Sequence, residues 1–297
     1  MLAGLLLFIA VPVVAQTNDD EATRKLWDTD FLQKRPAAPK TSAARPPITY
    51  KRVARRAPGG ATADGSVLGI TIWRLRPAKP SDEARILVPR RDKKTAQFTP
   101  ERVASEVPLA SGQRVRLSIE APRDGYLYVI DREQYTDGTL SAPYMIYPGP
   151  GNDHKVTAGR VIEIPALEDD GTATWFELQA LPREGQTALT AEVLTLLITP
   201  EPLPGLKRSD EPWELPAATL AEWEKKWSAT AERLELTGGA GRAYTKAEKA
   251  AAGAGQPLTT ADPMPQTIYR VATRPGNPFM INVSLRIATA NPAKNKP

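Results

Sequence analysis

Five apolar residues, Phe279, Ile281, Val283, Leu285 and Ile287, alternate with Met280, Asn282, Ser284, Arg286 and Ala288 near the end of this 297-residue chain. Side chains of an extended strand point to opposite faces in turn, so one face of this run requires a core and the other tolerates water. Left unpaired, it would expose an apolar face and a row of backbone donors and acceptors. The chain must therefore supply a sheet for it. Shorter runs with strand character begin at Val67, lie at Ala84 to Val88, 114–120, 125–131, 143–147, 160–164, 174–180 and 190–198, and return at Thr267 to Val271. Val193 to Ile198 reads as a strand buried on both faces. Pro148, Pro165, Pro182 and Pro200 each stand just past a strand, where the missing N–H costs no ladder bond. This pattern predicts a mainly β fold, an antiparallel β-sandwich of immunoglobulin-like or jelly-roll-like type, with one or two C-terminal helices packed on it.

Helical spacing interrupts the strands once. Thr219-Leu220-Ala221-Glu222 has the form of a capping box, and Leu220, Trp223, Trp227, Ala231 and Leu234 continue from it before Gly238-Gly239. A second box, Thr245-Lys246-Ala247-Glu248, opens a short alanine-rich helix. The expected body is residues 67–290 with a helical insertion at about 217–253, followed by a disordered tail at 291–297.

The first fifteen residues are apolar and uncharged, too short to cross a bilayer and ending in small residues at Val13 and Ala15. They read as a signal peptide cut after Ala15, although no Lys or Arg precedes Arg24. The expected location is periplasmic or secreted, with no transmembrane segment once the signal is removed. Residues 16–66 carry five prolines and, between Phe31 and Ala63, eight basic residues and no acidic one. They read as a basic, Pro-rich disordered linker adding little to stability, except that Leu26-Trp27 and Phe31-Leu32 have the makings of a docking turn. Of the net charge of +5, removing those eight leaves −3 (5 − 8) elsewhere. The body is thus mildly acidic, which argues against a nucleic-acid partner, and weak contact of the basic segment with anionic envelope surfaces is expected. The chain has no cysteine, which excludes thiol nucleophiles, thiolate zinc sites, iron–sulfur clusters and a lipidated N-terminal cysteine.

Residues 125–131, Gly-Tyr-Leu-Tyr-Val-Ile-Asp, follow the turn Pro122-Arg123-Asp124-Gly125 and the alternating run Arg114 to Glu120, an arrangement that predicts a β-hairpin. A strand ending in Tyr147-Pro148, a loop containing Asn152, and Ala158-Gly159-Arg160-Val161-Ile162-Glu163-Ile164-Pro165 come next. Over about residues 110–200 this order resembles an uncharacterised bacterial family known as domain of unknown function 4384. The resemblance implies an all-β, non-catalytic module and supplies no ligand.

The residue types nearest to chemistry cluster after this strand. Asp131, Glu133 and Asp137 put three carboxylates within seven residues, enough oxygen to interest Ca²⁺, but the spacing is not that of an EF-hand and Arg132 sits among them. A solvated loop with an Asp-Gly turn is the plainer reading, and neither metal nor cofactor is expected. Tyr126, Tyr128, Tyr135, Tyr144 and Tyr147 concentrate tyrosine here, and Tyr126 and Tyr128 share a strand face. Ordinary cross-strand packing competes with a recognition patch for a protein or glycan formed by Tyr126, Tyr128, Asp131, Arg132, Glu133, Tyr135, Asp137 and Tyr144. His154, the one histidine, stands in a turn-like sequence and reads as a surface-loop residue. Trp223 and Trp227 read as a sheet-covering face. Three readings stay open: an exported non-catalytic recognition module, a secreted hydrolase using the acidic residues, and a structural envelope component.

Overall fold

The computed structural model of the chain describes residues 27–38, 49–54, 65–89, 95–149, 154–165, 175–179, 188–206, 209, 211–254 and 256–288. The expected signal segment, the 291–297 tail and the rest of the 16–66 segment lie outside these residues. Among the described residues the fold is mainly β, with two antiparallel sheets and two α-helices. The first sheet contains β1 (Tyr50–Ala54), β2 (Ser66–Pro77), β3 (Ile86–Pro89), β4 (Thr95–Val103), β5 (Arg114–Glu120), β9 (Val161–Ile164), β10 (Phe176–Glu177), β13 (Ala231–Leu236) and β14 (Thr267–Val271). The second contains β6 (Gly125–Tyr135), β7 (Tyr144–Tyr147), β8 (Lys155–Val156), β11 (Leu189–Thr199), β12 (Trp213–Glu214) and β15 (Phe279–Arg286). The helices are α1 (Ala217–Trp227) and α2 (Lys246–Ala254).

Between the sheets lies a core drawn from nearly the whole described chain. Leu68, Ile70 and Ile72 of β2 and Val115, Leu117 and Ile119 of β5 face Leu127 and Val129 of β6, Leu194 and Leu196 of β11, and the five alternating residues of the last strand. The period-two expectation for that strand holds: Phe279, Ile281, Val283, Leu285 and Ile287 are buried, and Asn282, Ser284 and Arg286 are exposed. Its register on β11 pairs Val283 with Leu194 and Asn282 with Thr195. β11 is central, flanked by β6 and β15, as its continuous apolar run requires.

Four sequence expectations are corrected. Runs 114–120 and 125–131 do not form a hairpin. β5 pairs with β2, β9 and β10, whereas β6 pairs with β7, β8 and β11, so residues 121–124 cross from one sheet to the other. Both strands have an apolar face, and facing each other across the core buries both faces while each keeps neighbours in its own sheet. Pro122, without an N–H, suits a corner better than a hairpin ladder. The first helix ends at Trp227, and Ala231–Leu236, read as its continuation, is strand β13. Glu232, Leu234 and Glu235 are buried in that strand, and Glu232 meets Arg52 and Arg270, so charged residues occupy positions that an apolar count misses. The box at Thr219 is not used, because α1 begins at Ala217 after Pro216 and has no side-chain cap. The box at Thr245 is complete, with Glu248 accepting from the Thr245 N–H at 2.9 Å and the Glu248 N–H donating to Thr245 Oγ1 at 3.2 Å.

The fourth correction concerns the 16–66 linker. Within it, Tyr50–Ala54 forms β1 on the edge of β13, and residues 27–38 form a strap against the first sheet. Phe31 is 1% exposed and packs with Val67, Leu234, Met264 and Ile268. Composition undervalues this segment because its ordering is offset by contacts with residues distant in sequence. Two glycines permit the approach. A Cβ at Gly69 would lie 2.4 Å from Pro265 Cγ and 3.3 Å from Phe31, and one at Gly159, where φ is +75°, would lie 2.6 Å from the Lys34 carbonyl oxygen.

Candidate functional site

Of the eight residues expected to form one recognition patch, six divide between the two faces of β6, Asp137 lies in the turn beyond it, and Tyr144 is on β7. Tyr126 and Tyr128 share the outer face of the second sheet, but α1 and the segment before it cover that face. Tyr128 is 1% exposed, and its hydroxyl accepts the Leu203 N–H at 2.8 Å. Leu215, Leu220, Trp213, Trp223 and Trp227 pack on the same cluster, so the two tryptophans do cover a sheet. His154 is buried rather than on a surface loop. Its ring stands 5.0 Å from Tyr126 and 5.3 Å from Tyr128, and its carbonyl accepts the Leu127 N–H at 2.8 Å. An exposed tyrosine sheet is therefore not the arrangement this fold makes.

Asp131, Glu133 and Tyr135 point the other way, toward the inter-sheet space, in the row that begins with Leu127 and Val129. The Tyr135 hydroxyl donates to Glu133. Burial, with the Glu133 charge next in size, pushes the Asp131 carboxyl up to about 6. Glu192, opposite Glu133 on β11, is hydrogen-bonded to Asp131, which opposes the rise. Asp137 is not part of this group. It sits in an exposed turn and accepts the Thr139 hydroxyl at 2.7 Å and the Thr139 N–H at 2.9 Å, which hold its carboxyl below the usual range. The three carboxylates of the expected loop thus do not converge. Among the described residues no group of three or more histidine or acidic side chains is placed to hold a metal ion. Tyr144, the cross-strand partner of Asp131, is 38% exposed.

A denser polar constellation, with no single sequence signal, lies on the outer face of the first sheet. Alternation along β2 and β5 puts Thr71, Trp73, Arg116, Ser118 and Glu120 there, opposite the core-facing row. The strap, α2 and residues 256–265 close over them. Arg35 makes a bidentate pair with Glu120, Nε to Oε1 at 2.8 Å and Nη2 to Oε2 at 2.6 Å, and its Nη1 reaches the carbonyls of Asp262 and Pro263 at 3.2 Å. Arg102 pairs with Glu248, the same residue that completes the α2 cap, and donates to the Met264 carbonyl at 2.6 Å. Arg116 stands 3.3 Å from Glu163 and donates to the Pro165 carbonyl at 3.0 Å. Trp73 Nε1 donates to Ser118 Oγ at 2.6 Å, and Ser118 donates to Glu163 at 2.5 Å. Burial raises the Glu163 carboxyl to about 7 against the opposing effect of Arg116. The Arg102 guanidinium stacks over Trp73, whose ring meets Tyr244 edge-on at 4.7 Å. The cavity among these groups is about 20 Å³, room for roughly one water. Three arginines are matched by three glutamates, so the cluster is electrostatically closed on itself.

The surface left open belongs to the second sheet beyond α1. Arg132, at the boundary, donates to Glu224 of α1 at 2.7 Å. Past it, Gln134, Thr190, Ser284 and Arg286 line a groove of about 500 Å³ that reaches Pro108 and Ile287 at the end of β15. None of the expected patch lines this groove. Sequence reading missed its residues because polar positions on the outer side of a strand carry no distinguishing pattern.

Compared with family models, curated proteins and solved structures, the chain matches none. No helix among the described residues is long and apolar enough to cross a membrane.

Proposed function

We propose that this chain is an exported, non-catalytic β-sandwich module of a bacterial envelope that recognises a protein or glycan partner. Support for export comes from the apolar, uncharged first fifteen residues and the small residues at Val13 and Ala15. Envelope-fraction material should begin at or near Gln16, and N-terminal sequencing that returns intact Met1 from a cytoplasmic fraction would sink this part of the reading. Support for recognition comes from one observation: the outer face of each sheet is largely covered, while the second sheet keeps an open polar end with a concave groove. The tyrosines and residues 131–137 act in this reading as supports beneath or beside that end. The carboxylates do not favour the hydrolase alternative, since Asp131 is bonded to Glu192 and Asp137 lies apart in a turn, whereas a glycosidase pair would face each other across a cleft.

The test is binding of the purified chain to arrays of envelope proteins and of bacterial glycans. Ser284→Lys places a charge in the groove without touching the core, and should weaken any genuine partner at least tenfold while leaving the melting temperature within about 1 °C. Binding indifferent to Ser284→Lys, or no binding in either array, would overturn the reading.

A further inference from the structure

The free edge of β15 has a gap in its hydrogen bonding whose form identifies its occupant. Backbone groups of a strand face its two neighbours in alternation. The Ile287 N–H donates toward β11, to the Thr190 carbonyl at 2.7 Å, so odd-numbered residues serve the sheet. Even-numbered residues therefore face outward. The Met280 carbonyl accepts the Ala229 N–H at 3.3 Å and the Arg286 carbonyl accepts the Leu109 N–H at 2.8 Å. Ser228 and Leu109 make isolated parallel bridges to Met280 and Ile287, and each occupies the position of a next strand for about one residue. Between them no strand pairs with the outward N–H and C=O of Asn282 and Ser284 among the described residues. The bridges at Met280 and Ile287 stand roughly 24 Å apart at a strand rise of about 3.4 Å per residue. Allowing for the bridging residues, the slot holds about four residues of extended chain.

Soluble sheets blunt their edges with charge, proline, bulges or covering segments. Here the covering is applied at both ends and omitted in the middle, beside the groove formed by Gln134, Thr190, Ser284 and Arg286. Asn282 and Ser284 are exposed, short and uncharged, so they neither fill the slot nor repel a strand. The Asn282 side chain is turned aside and held, accepting the Thr195 hydroxyl at 2.8 Å.

We infer that the slot between Ser228 and Leu109 is a strand-addition site, which takes an extended peptide of about four residues as a further strand on β15. This deepens the recognition reading above and rests on it: of protein and glycan partners it selects an unfolded peptide segment. Only a peptide backbone matches donors and acceptors at this spacing, and side chains on the outer side of the added strand enter the groove. The two flanking bridges reject a long sheet edge, which distinguishes a short recognition motif from aggregation or edge-to-edge dimers.

The experiment selects a phage-displayed library of random heptapeptides on the full chain, with synthetic copies of enriched sequences as probes. Enriched peptides are expected to bind the native chain and to lose at least tenfold affinity to Ser284→Pro, which removes one outward N–H and fills the slot with a ring. Position 284 donates nothing to β11, and an unchanged unfolding midpoint verifies the variant. Should Ser284→Pro fail to fold, N-methylation of alternate backbone nitrogens in the same peptides is the second measurement, with the same tenfold loss expected for the register that faces β15. Peptides that tolerate both changes would overturn the edge site while leaving the recognition reading standing. No enrichment above an empty support would also overturn the edge site, and the protein and glycan arrays then judge the broader reading separately.

Discussion

Helix α1 covers the second sheet with Leu220, Trp223 and Trp227, whereas the strap and α2 cover the first with the ion pairs Arg35–Glu120 and Arg102–Glu248. The areas hidden are alike in kind, each the outer face of a β-sheet, but the forces differ in what they demand. Apolar burial is non-directional and nearly proportional to area, so α1 can shift by a fraction of an ångström at little cost. A buried ion pair is favourable only at good geometry, and its attraction is largely consumed by desolvation. The ionic cover therefore adds less net stability than its short contacts suggest, and fixes instead where the strap must lie. Arg35 reaches Glu120, 85 residues away, and carbonyls more than 220 residues away, which ties the N-terminal segment to one place on the body.

Breaking the ionic cover from one side should produce the largest effect. Glu120→Ala leaves the Arg35 guanidinium buried without a counter-charge and should cost about 3–5 kcal/mol in urea unfolding. Replacing both partners by apolar residues, Arg35→Met with Glu120→Leu, should restore most of that loss. The apolar cover should respond differently. Leu220→Ala, at a position 3% exposed, should cost about 3 kcal/mol, with the same value from pH 5 to 8 and from low to high salt. A smaller effect, of opposite sign, comes from the carboxylate between the sheets. With its carboxyl raised from 3.8 to about 6 in the folded chain, Asp131 binds protons more tightly folded than unfolded. Its ionised form is a liability above about pH 6, relieved as pH falls from about 6 to about 4. Asp131→Asn should therefore stabilise the protein by about 2–3 kcal/mol at pH 8 and by only about 0.5 kcal/mol at pH 4.

The parts of this architecture legible in the sequence are those where an apolar period stands alone. The last strand, the central run of β11 and the helix-covering role of Trp223 and Trp227 all follow from it. Where buried charges interrupt the period, the reading fails. β13 hides Glu232 and Glu235 among its buried positions and its sequence continues the period of the preceding helix, and β4, with Pro100, Glu101 and Arg102 in sequence, carries no strand signal. The strap fails for another reason. Phe31-Leu32 hints at a docking turn and Arg35 carries no local pattern, but neither names its partners, which lie at positions 67, 120 and 262–264, contacts that only the tertiary fold reveals. The candidate patch expects residues 131–137 in a loop, but β6 runs on to Tyr135, and alternation along it puts Tyr126 and Tyr128 on one side of the sheet and Asp131, Glu133 and Tyr135 on the other.

Whether residues 27–38 belong to the fold decides how the first sheet is closed. Composition alone assigns them to a tether. Comparing the chain that begins at Gln16 with one that begins at Lys40 in equilibrium urea unfolding decides the matter, because the shorter chain keeps Glu120 and Gly69 but loses Phe31 and Arg35. The ionic cover predicts a loss of at least about 3 kcal/mol, since a glutamate is left facing a cavity without its arginine. Unfolding midpoints that coincide for the two chains would show that the strap adds nothing, and that the charged face of the first sheet is closed by α2 and the 256–265 segment alone.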